Sequence, residues 1–189
     1  MTRVLVSGAR SHVAEVAAAL RARGAEVTEV ADLADVPAVV ADAGQRAFDV
    51  YVQLAASFRV AGSTAVQRVR HFYAEGVLAR FEALDAAIPA LRPSAQVVFV
   101  LGTLPPEVAT ADDREARRAL TQVLGRAARA DAAPGELTVR LLDADSEPER
   151  IAALALGQAP PPRGEDERLA DLSLEDWRVE LMSVVLVET

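Results

Sequence analysis

The sequence predicts an α/β fold: a three-layer α/β/α sandwich around a mostly parallel sheet of about five to six strands. Short runs of β-branched residues alternate with alanine-rich amphipathic stretches, the order expected for parallel strands joined by crossover helices. The chain has 189 residues, of which 51% are hydrophobic, enough for one good core and too few for two comfortable domains. We therefore expect one domain over residues 1–157, followed by a proline-rich linker and tail over residues 158–189.

Each strand is predicted from a short apolar run bounded by turn residues. In chain order the strands are Val4–Ser7, Glu26–Val30, Asp49–Leu54, Gln96–Leu101 and Leu137–Leu142. The segments between them carry apolar residues at helical spacing, and Gly24 is placed to end the first helix. The predicted helices are Val13–Arg23, Val36 to about Arg46, Val66–Leu91, Asp112–Ala130 and Pro148–Leu156.

The tail is open to two interpretations. Ser173 is followed three residues later by Asp176, which resembles the start of a capped helix that would carry Trp177 and Leu181. Val184–Val187 could equally form a final strand. The lone tryptophan, Trp177, is expected to pack the tail onto the body of the protein or onto a partner.

The composition excludes several kinds of catalytic and binding site. The chain contains no lysine, no asparagine and no cysteine, which excludes a P-loop, a Schiff base, a Tyr-Lys proton relay, disulfides and cysteine zinc sites. Two histidines, His12 and His71, leave little for a histidine metal centre, so we predict no metal. We also predict no cofactor, because of the changed cofactor positions described below. Arginine in place of lysine is typical of a GC-rich genome, and we expect a bacterial source.

Charge and hydropathy exclude two classes of partner. The net charge of −8 and the absence of a basic stripe argue against nucleic acid. The sequence contains no run of eighteen apolar residues, so it predicts no membrane span. Its N-terminus lacks the basic region, apolar stretch and cleavage site of a signal peptide. We therefore expect a soluble, cytoplasmic protein.

The order of segments resembles the short-chain dehydrogenase/reductase family over residues 3–157. The resemblance rests on five stretches in the family's order: "VLVSGARSHVAEVAAALRARGAEV", "FDVYVQLAAS", "YAEGVLARFEALDAAIPAL", "QVVFVLGT" and "DREARRALTQVLGRAARA". Taken in that order, the five stretches look like the family's glycine turn, the strand beside the adenosine, the long interface helix, the strand that ends in the catalytic serine, and the helix of the Tyr-x-x-x-Lys pair. The resemblance implies a Rossmann-like fold, shortened here by one β–α unit.

The glycine turn departs from the family's pattern. Ser7 and Gly8 keep its start, but His12 falls on the second glycine and Ala14 on the third. The second glycine lets the backbone approach the pyrophosphate, and an imidazole would occupy that space. Ser11 and His12 could instead serve the helix start, or bind an anion there.

The family's remaining functional positions are also changed. Gln53 and Leu54 stand in place of two asparagines, Gly102 stands near the position of the catalytic serine with Thr103 next to it, and the Tyr-x-x-x-Lys pair maps onto Asp113 and Arg117. Aspartate is a base at neutral pH and does not give a proton to a developing alkoxide. The resemblance therefore implies a fold without the family's catalysis.

We predict a catalytically inactive relative that acts as a non-catalytic subunit or oligomerisation partner of a related reductase, or as a homo-oligomeric scaffold. The family's interface helices correspond to residues 66–91 and 112–130, so the partner would be this chain itself or an active, fold-related subunit. The predicted interface residues are apolar or small, with Trp177 added from the tail. They are Val77, Phe81, Leu84, Ile88, Ala116, Leu120, Val123 and Trp177.

An alternative function is small-molecule binding or atypical catalysis in the crevice at the carboxyl ends of the strands. Its lining would combine hydroxyl, imidazole and carboxylate groups. The candidate residues are Ser7, Ser11, His12, Thr103, Asp143 and Asp145.

Overall fold

The computed structural model describes residues 1–54, 61–71, 74, 78–100, 124–128, 137–142 and 147–158. Its strands are β1 Arg3–Ser7, β2 Glu26–Val30, β3 Phe48–Gln53, β4 Leu91–Val100 and β5 Leu137–Leu142. Its helices are α1 Arg10–Ala22, α2 Val36–Ala43, α3 Ala65–His71, α4 Ala79–Ala87 and α5 Pro148–Ala155. Residues 124–128 are helical as well. The predicted tail, residues 158–189, lies outside the described residues except for Gln158.

The five strands form one parallel sheet in the order β2-β1-β3-β4-β5. The chain runs outward from β1 to β2, then returns across β1 to β3 and continues in the other direction. The order therefore reverses between β1 and β3, which makes this pair the switch point of the sheet. The predicted Rossmann-like α/β class is confirmed.

Helices cover both faces of the sheet. One face packs against α2, α4 and residues 124–128, and the opposite face packs against α1 and α5. Side chains alternate along each strand, so Leu5 and Tyr51 belong to the first layer while Val6 and Val52 belong to the second. All four are fully buried.

The helix predicted over Val66–Leu91 is wrong at its carboxyl end. Helix α4 stops at Ala87, a 3-10 turn follows over Ile88–Ala90, and Leu91 begins β4. Pro89 explains the difference, because proline has no N–H for the helical ladder and its ring crowds the preceding turn. Strand β4 consequently starts five residues before the predicted Gln96, with Leu91 paired to Phe48.

A charged cluster holds the amino ends of three strands together. The carboxylate of Asp49 accepts hydrogen bonds from the backbone N–H of Arg3 at 2.8 Å and from the Arg92 guanidinium at 2.6 Å. Arg92 also donates to the carbonyl of Arg46 at 3.0 Å. These contacts join β1, β3 and β4 at the edge of the sheet away from the switch point.

Within the described residues, no helix has the length and apolarity needed to cross a bilayer.

Candidate functional site

The candidate site lies at the carboxyl ends of β1 and β3. Open α/β sheets bind their ligands outside the strand ends at the switch point. Here Ser7, the last residue of β1, pairs in register with Gln53, the last residue of β3. Gly8 and Leu54 follow directly, so these four residues form the described ends of the two strands at the switch point.

The turn after β1 is pressed against the end of β3. Gly8 has a φ of +143°, and its N–H donates to the carbonyl of Val30 at 3.2 Å. Leu54, which is fully buried, donates its own N–H to the carbonyl of Ser7 at 2.7 Å. A Cβ on Gly8 would lie 2.7 Å from the Cβ of Leu54 and 3.1 Å from its carbonyl group. The glycine is therefore required by a contact inside the protein.

Beneath the turn, Ser7, Tyr51, Gln53 and Arg80 form a buried polar group of residues, here called the strand-end cluster. The Ser7 hydroxyl lies 2.9 Å from the Tyr51 hydroxyl, and the Gln53 amide donates to the same phenol at 3.1 Å. Ser7, Tyr51 and Gln53 are each 0% exposed. Their polar groups are hydrogen-bonded to one another instead of facing the crevice.

Arg80 extends the cluster from the sheet to helix α4. Its Nε donates to Gln53 Oε1 at 3.0 Å, while Gln53 Nε2 donates to the Arg80 carbonyl at 3.0 Å. Its Nη2 donates to the carbonyl of Val100, the last residue of β4, at 3.3 Å. Arg80 is only 5% exposed, and taking a guanidinium out of water is costly unless its donors are satisfied. The cluster thus ties α4 to the ends of β3 and β4.

Tyr51 is the titratable group at the centre of the cluster. Burial raises its pKa above 10.0, although the hydrogen bonds from Ser7 and Gln53 and the charge of Arg80 partly oppose that shift. The phenol is therefore protonated at neutral pH. Since Gln53 donates to the phenolic oxygen, the phenolic hydrogen is available to the Ser7 oxygen.

The start of α1 is the part of the turn nearest to solvent. His12 lies in the first turn of the helix and is half-buried. Ala9 caps the helix without a side-chain hydrogen bond, and the first turn contains no acidic residue. The side chains of Arg10 and Ser11 lie outside the described residues.

Three of the predicted interface residues, Phe81, Leu84 and Ile88, lie in α4 and the 3-10 turn after it. Leu84 is 1% exposed and belongs to the core beneath α4, while Phe81 and Ile88 are half-buried against that core. Leu84 is therefore already covered within the subunit. The outward face of α4, taken here together with Leu78 directly before the helix, carries Leu78, Glu82 and Asp85.

Several predicted residues lie outside the described residues, so the structure says nothing of them. From the predicted interface these are Val77, Ala116, Leu120, Val123 and Trp177. From the alternative crevice they are Thr103, Asp143 and Asp145. Within the described part of the chain, no three histidine or acidic side chains are arranged to hold a metal ion.

Sequence reasoning missed Tyr51 and Arg80 as members of a site. A signal for both was present. Tyr51 and Gln53 are two residues apart on one strand and so share a face. Arg80 stands at helical spacing with Ala83, Leu84 and Ala87, so an arginine occupies an otherwise apolar buried row.

No protein-family model and no curated protein sequence matches the chain. Solved structures do match. A short-chain dehydrogenase/reductase from Serratia marcescens has a TM-score of 0.61 and 17% identity, covering 91% of this chain and 93% of that one.

A carbonyl reductase from Pseudomonas aeruginosa PAO1, solved with NADP, has a TM-score of 0.60 and 19% identity, covering 83% of this chain and 90% of that one. BdcA, solved with NADPH, has a TM-score of 0.55 and 15% identity over 85% of this chain and 87% of its own. At these identities the likeness concerns the fold: the chain has a Rossmann-like α/β fold similar to that of short-chain dehydrogenases/reductases.

Proposed function

We propose that this chain is a non-catalytic relative of the reductases that share its fold, and that its role is association with a second copy of itself or with a fold-related reductase. The observation that carries the proposal is the strand-end cluster, in which Ser7 and Gln53 are fully buried and hydrogen-bonded inside the protein. Above it, Leu54, the residue after β3, packs against Gly8 in the turn after β1.

Dinucleotide binding depends on an open glycine turn. In that arrangement the second glycine admits the pyrophosphate to the backbone, and the helix N-terminus faces the phosphate oxygens. In this chain His12 stands at the second glycine position, and Ser7 and Gln53 direct their polar groups inward. Each feature opposes cofactor binding independently of the others.

Proton transfer is opposed by the chemistry of the chain. The family's reduction needs a phenol whose pKa is lowered by a neighbouring ammonium. The sequence contains no lysine, and the pKa of the buried Tyr51 is raised instead of lowered. The other tyrosine, Tyr73, lies outside the described residues.

Association is supported by two exposed apolar residues, one in α3 and one directly before α4. Val66 is 66% exposed and Leu78 is 54% exposed, and Met1 is the other large exposed apolar residue of the described part of the chain. Leu78 shares the outward face of α4 with Glu82 and Asp85, opposite the buried Ala83 and Leu84. An apolar side chain of this size gains about 1.5–3 kcal/mol when it is fully buried.

The test is the oligomeric state measured by light scattering and sedimentation equilibrium. We expect a dimer or larger assembly, and a Val66→Ser/Leu78→Ser variant that associates about 100-fold more weakly, because two buried apolar side chains are lost. Ala38→Ser, an exposed position of α2, is the matched control and should change nothing. A monomeric wild-type chain that also has no fold-related partner in native mass spectrometry of its host extract would disprove the association role.

Ligand binding is the second candidate, and the start of α1 favours it. Its first turn has neither a capping side chain nor an acidic residue, which leaves the helix N-terminus suited to an anion. Thermal-shift measurements with inorganic phosphate, nucleotides and acyl-CoA compounds separate the two functions. Saturable stabilisation by one of these ligands would favour the crevice function over association alone.

A further inference from the structure

Helix α4 meets the sheet through a buried face that is mostly small. Ala83 and Ala87 are alanines, Leu84 is the large apolar residue fully buried beside them, and Phe81 is half-buried against the same core. The position of a packed helix is fixed by side chains that interdigitate with those of its neighbours. The short side chain of alanine interdigitates little. The large apolar contacts of α4 with the core are therefore those of Leu84 and Phe81.

Arg80 adds hydrogen bonds between the buried face of α4 and the sheet. Gln53 binds it twice, because its oxygen accepts from the Arg80 side chain and its nitrogen donates to the Arg80 backbone carbonyl, both at 3.0 Å. The third contact reaches the carbonyl of Val100 at 3.3 Å. These bonds fix one side chain and one backbone atom of α4 relative to two strands. Hydrogen bonds are directional, so they define position more sharply than apolar packing does.

The opposite face of the same helix is the one that carries Leu78, Glu82 and Asp85. Any rotation of α4 about its axis would move these three residues together. The direction in which they point is therefore coupled to the contacts that Arg80 makes on the buried side.

We propose that Arg80 is a positioning residue: through Gln53 and Val100 it fixes α4 on the ends of β3 and β4, and so sets the orientation in which the outward face of α4 meets a second copy of the chain. The link to association rests on the proposed function, whereas the effect on helix position does not. Gln53 contributes two hydrogen bonds to this contact, one to the side chain and one to the backbone of Arg80.

The test compares Arg80→Met, Gln53→Met and the double variant Gln53→Met/Arg80→Met. Each single variant leaves buried polar partners without a hydrogen bond, among them the Val100 carbonyl in Arg80→Met and the Tyr51 hydroxyl's contact with Gln53 in Gln53→Met, and is expected to lower the melting temperature. The double variant removes the guanidinium and the amide together and should recover the part of that loss that comes from leaving one of these two groups buried without the other. A purely structural role predicts that association recovers with the melting temperature. The positioning role predicts that association stays about tenfold weaker in the double variant.

Helix position is measured separately by spin labels. The chain has no cysteine, so cysteines at Glu82 on α4 and Ala18 on α1, both exposed, give a label pair across the sheet; association is measured on unlabelled protein. We expect a broader or shifted distance distribution in the double variant. Gln96→Met, which removes a 2.8 Å hydrogen bond to the carbonyl of Leu154, is the control and should leave both readouts unchanged.

The outcomes are distinct. A double variant with the wild-type distance distribution overturns the positioning role, whatever the oligomeric state. A changed distribution with wild-type association overturns the coupling between the two faces of α4. A wild-type chain that does not self-associate refutes association with a second copy, and the label distances then still decide whether Arg80 fixes the helix.

Discussion

Replacing Gly8 by alanine lowers the free energy of unfolding by about 2–4 kcal/mol. The added Cβ would meet the Cβ of Leu54 at 2.7 Å and its carbonyl group at 3.1 Å, so backbone must move, and overpacking a core site costs about 1–3 kcal/mol. A φ of +143° adds strain of about 1 kcal/mol for any residue with a side chain. The change is measured by urea unfolding followed by circular dichroism.

Gly24→Ala and Gly44→Ala are the matched controls. Their φ values are +86° and +83°, but a Cβ at either position meets nothing within 4 Å. Each should lose only about 1 kcal/mol, the cost of the backbone conformation. If Gly8→Ala is no more destabilising than these two, the turn is not packed against Leu54, and the proposed absence of cofactor binding loses one of its supports.

We expect reversal of the charge of Arg70 to weaken the proposed self-association by about 10-fold to 100-fold at low ionic strength. Helix α3 contains two arginines and no acidic residue, whereas the outward face of α4 carries Glu82 and Asp85. A two-fold axis brings the same patch of each copy together, so α3 of one copy can lie against α4 of the other. Arg70→Glu then places like charges opposite each other twice.

The complementary variant gives the rescue. Glu82→Arg alone should weaken association as Arg70→Glu does, and the double variant should restore it because both pairs are reversed together. Higher salt should reduce all of these effects. Arg150→Glu and Asp42→Arg, exposed positions on α5 and α2, make the same changes in net charge elsewhere. Single variants that behave like these controls would place the contact on another surface.

The strands were predictable because their patterns are local. Glu26–Val30 and Leu137–Leu142 have the predicted bounds, and the other strands overlap their predictions. The helix ends were less accurate because capping and proline effects compete with periodicity. Pro89 ends the helical segment even though Ile88 and Leu91 continue its apolar spacing.

The location of the candidate site could be predicted from the sequence, but the contacts within it could not. Sequence reasoning found the turn at Gly8 and the substitution at His12, because both stand in a recognisable pattern. The closing contact joins Gly8 to Leu54, 46 positions later, and the cluster joins Ser7 to Tyr51 and Gln53 to Arg80. Such contacts depend on how the strands pair, which no local pattern of residues specifies.

Calorimetric and fluorescence titration with NADPH and NADH tests the central claim most directly. The claim is that no dinucleotide binds at the ends of β1 and β3, because the turn after β1 is packed against Leu54 and the polar groups of the strand-end cluster are hydrogen-bonded inside the protein. We expect no heat of binding and no change in nicotinamide fluorescence at cofactor concentrations up to about 1 mM, where a site of ordinary affinity would be saturated. Saturable binding below that concentration would contradict the account.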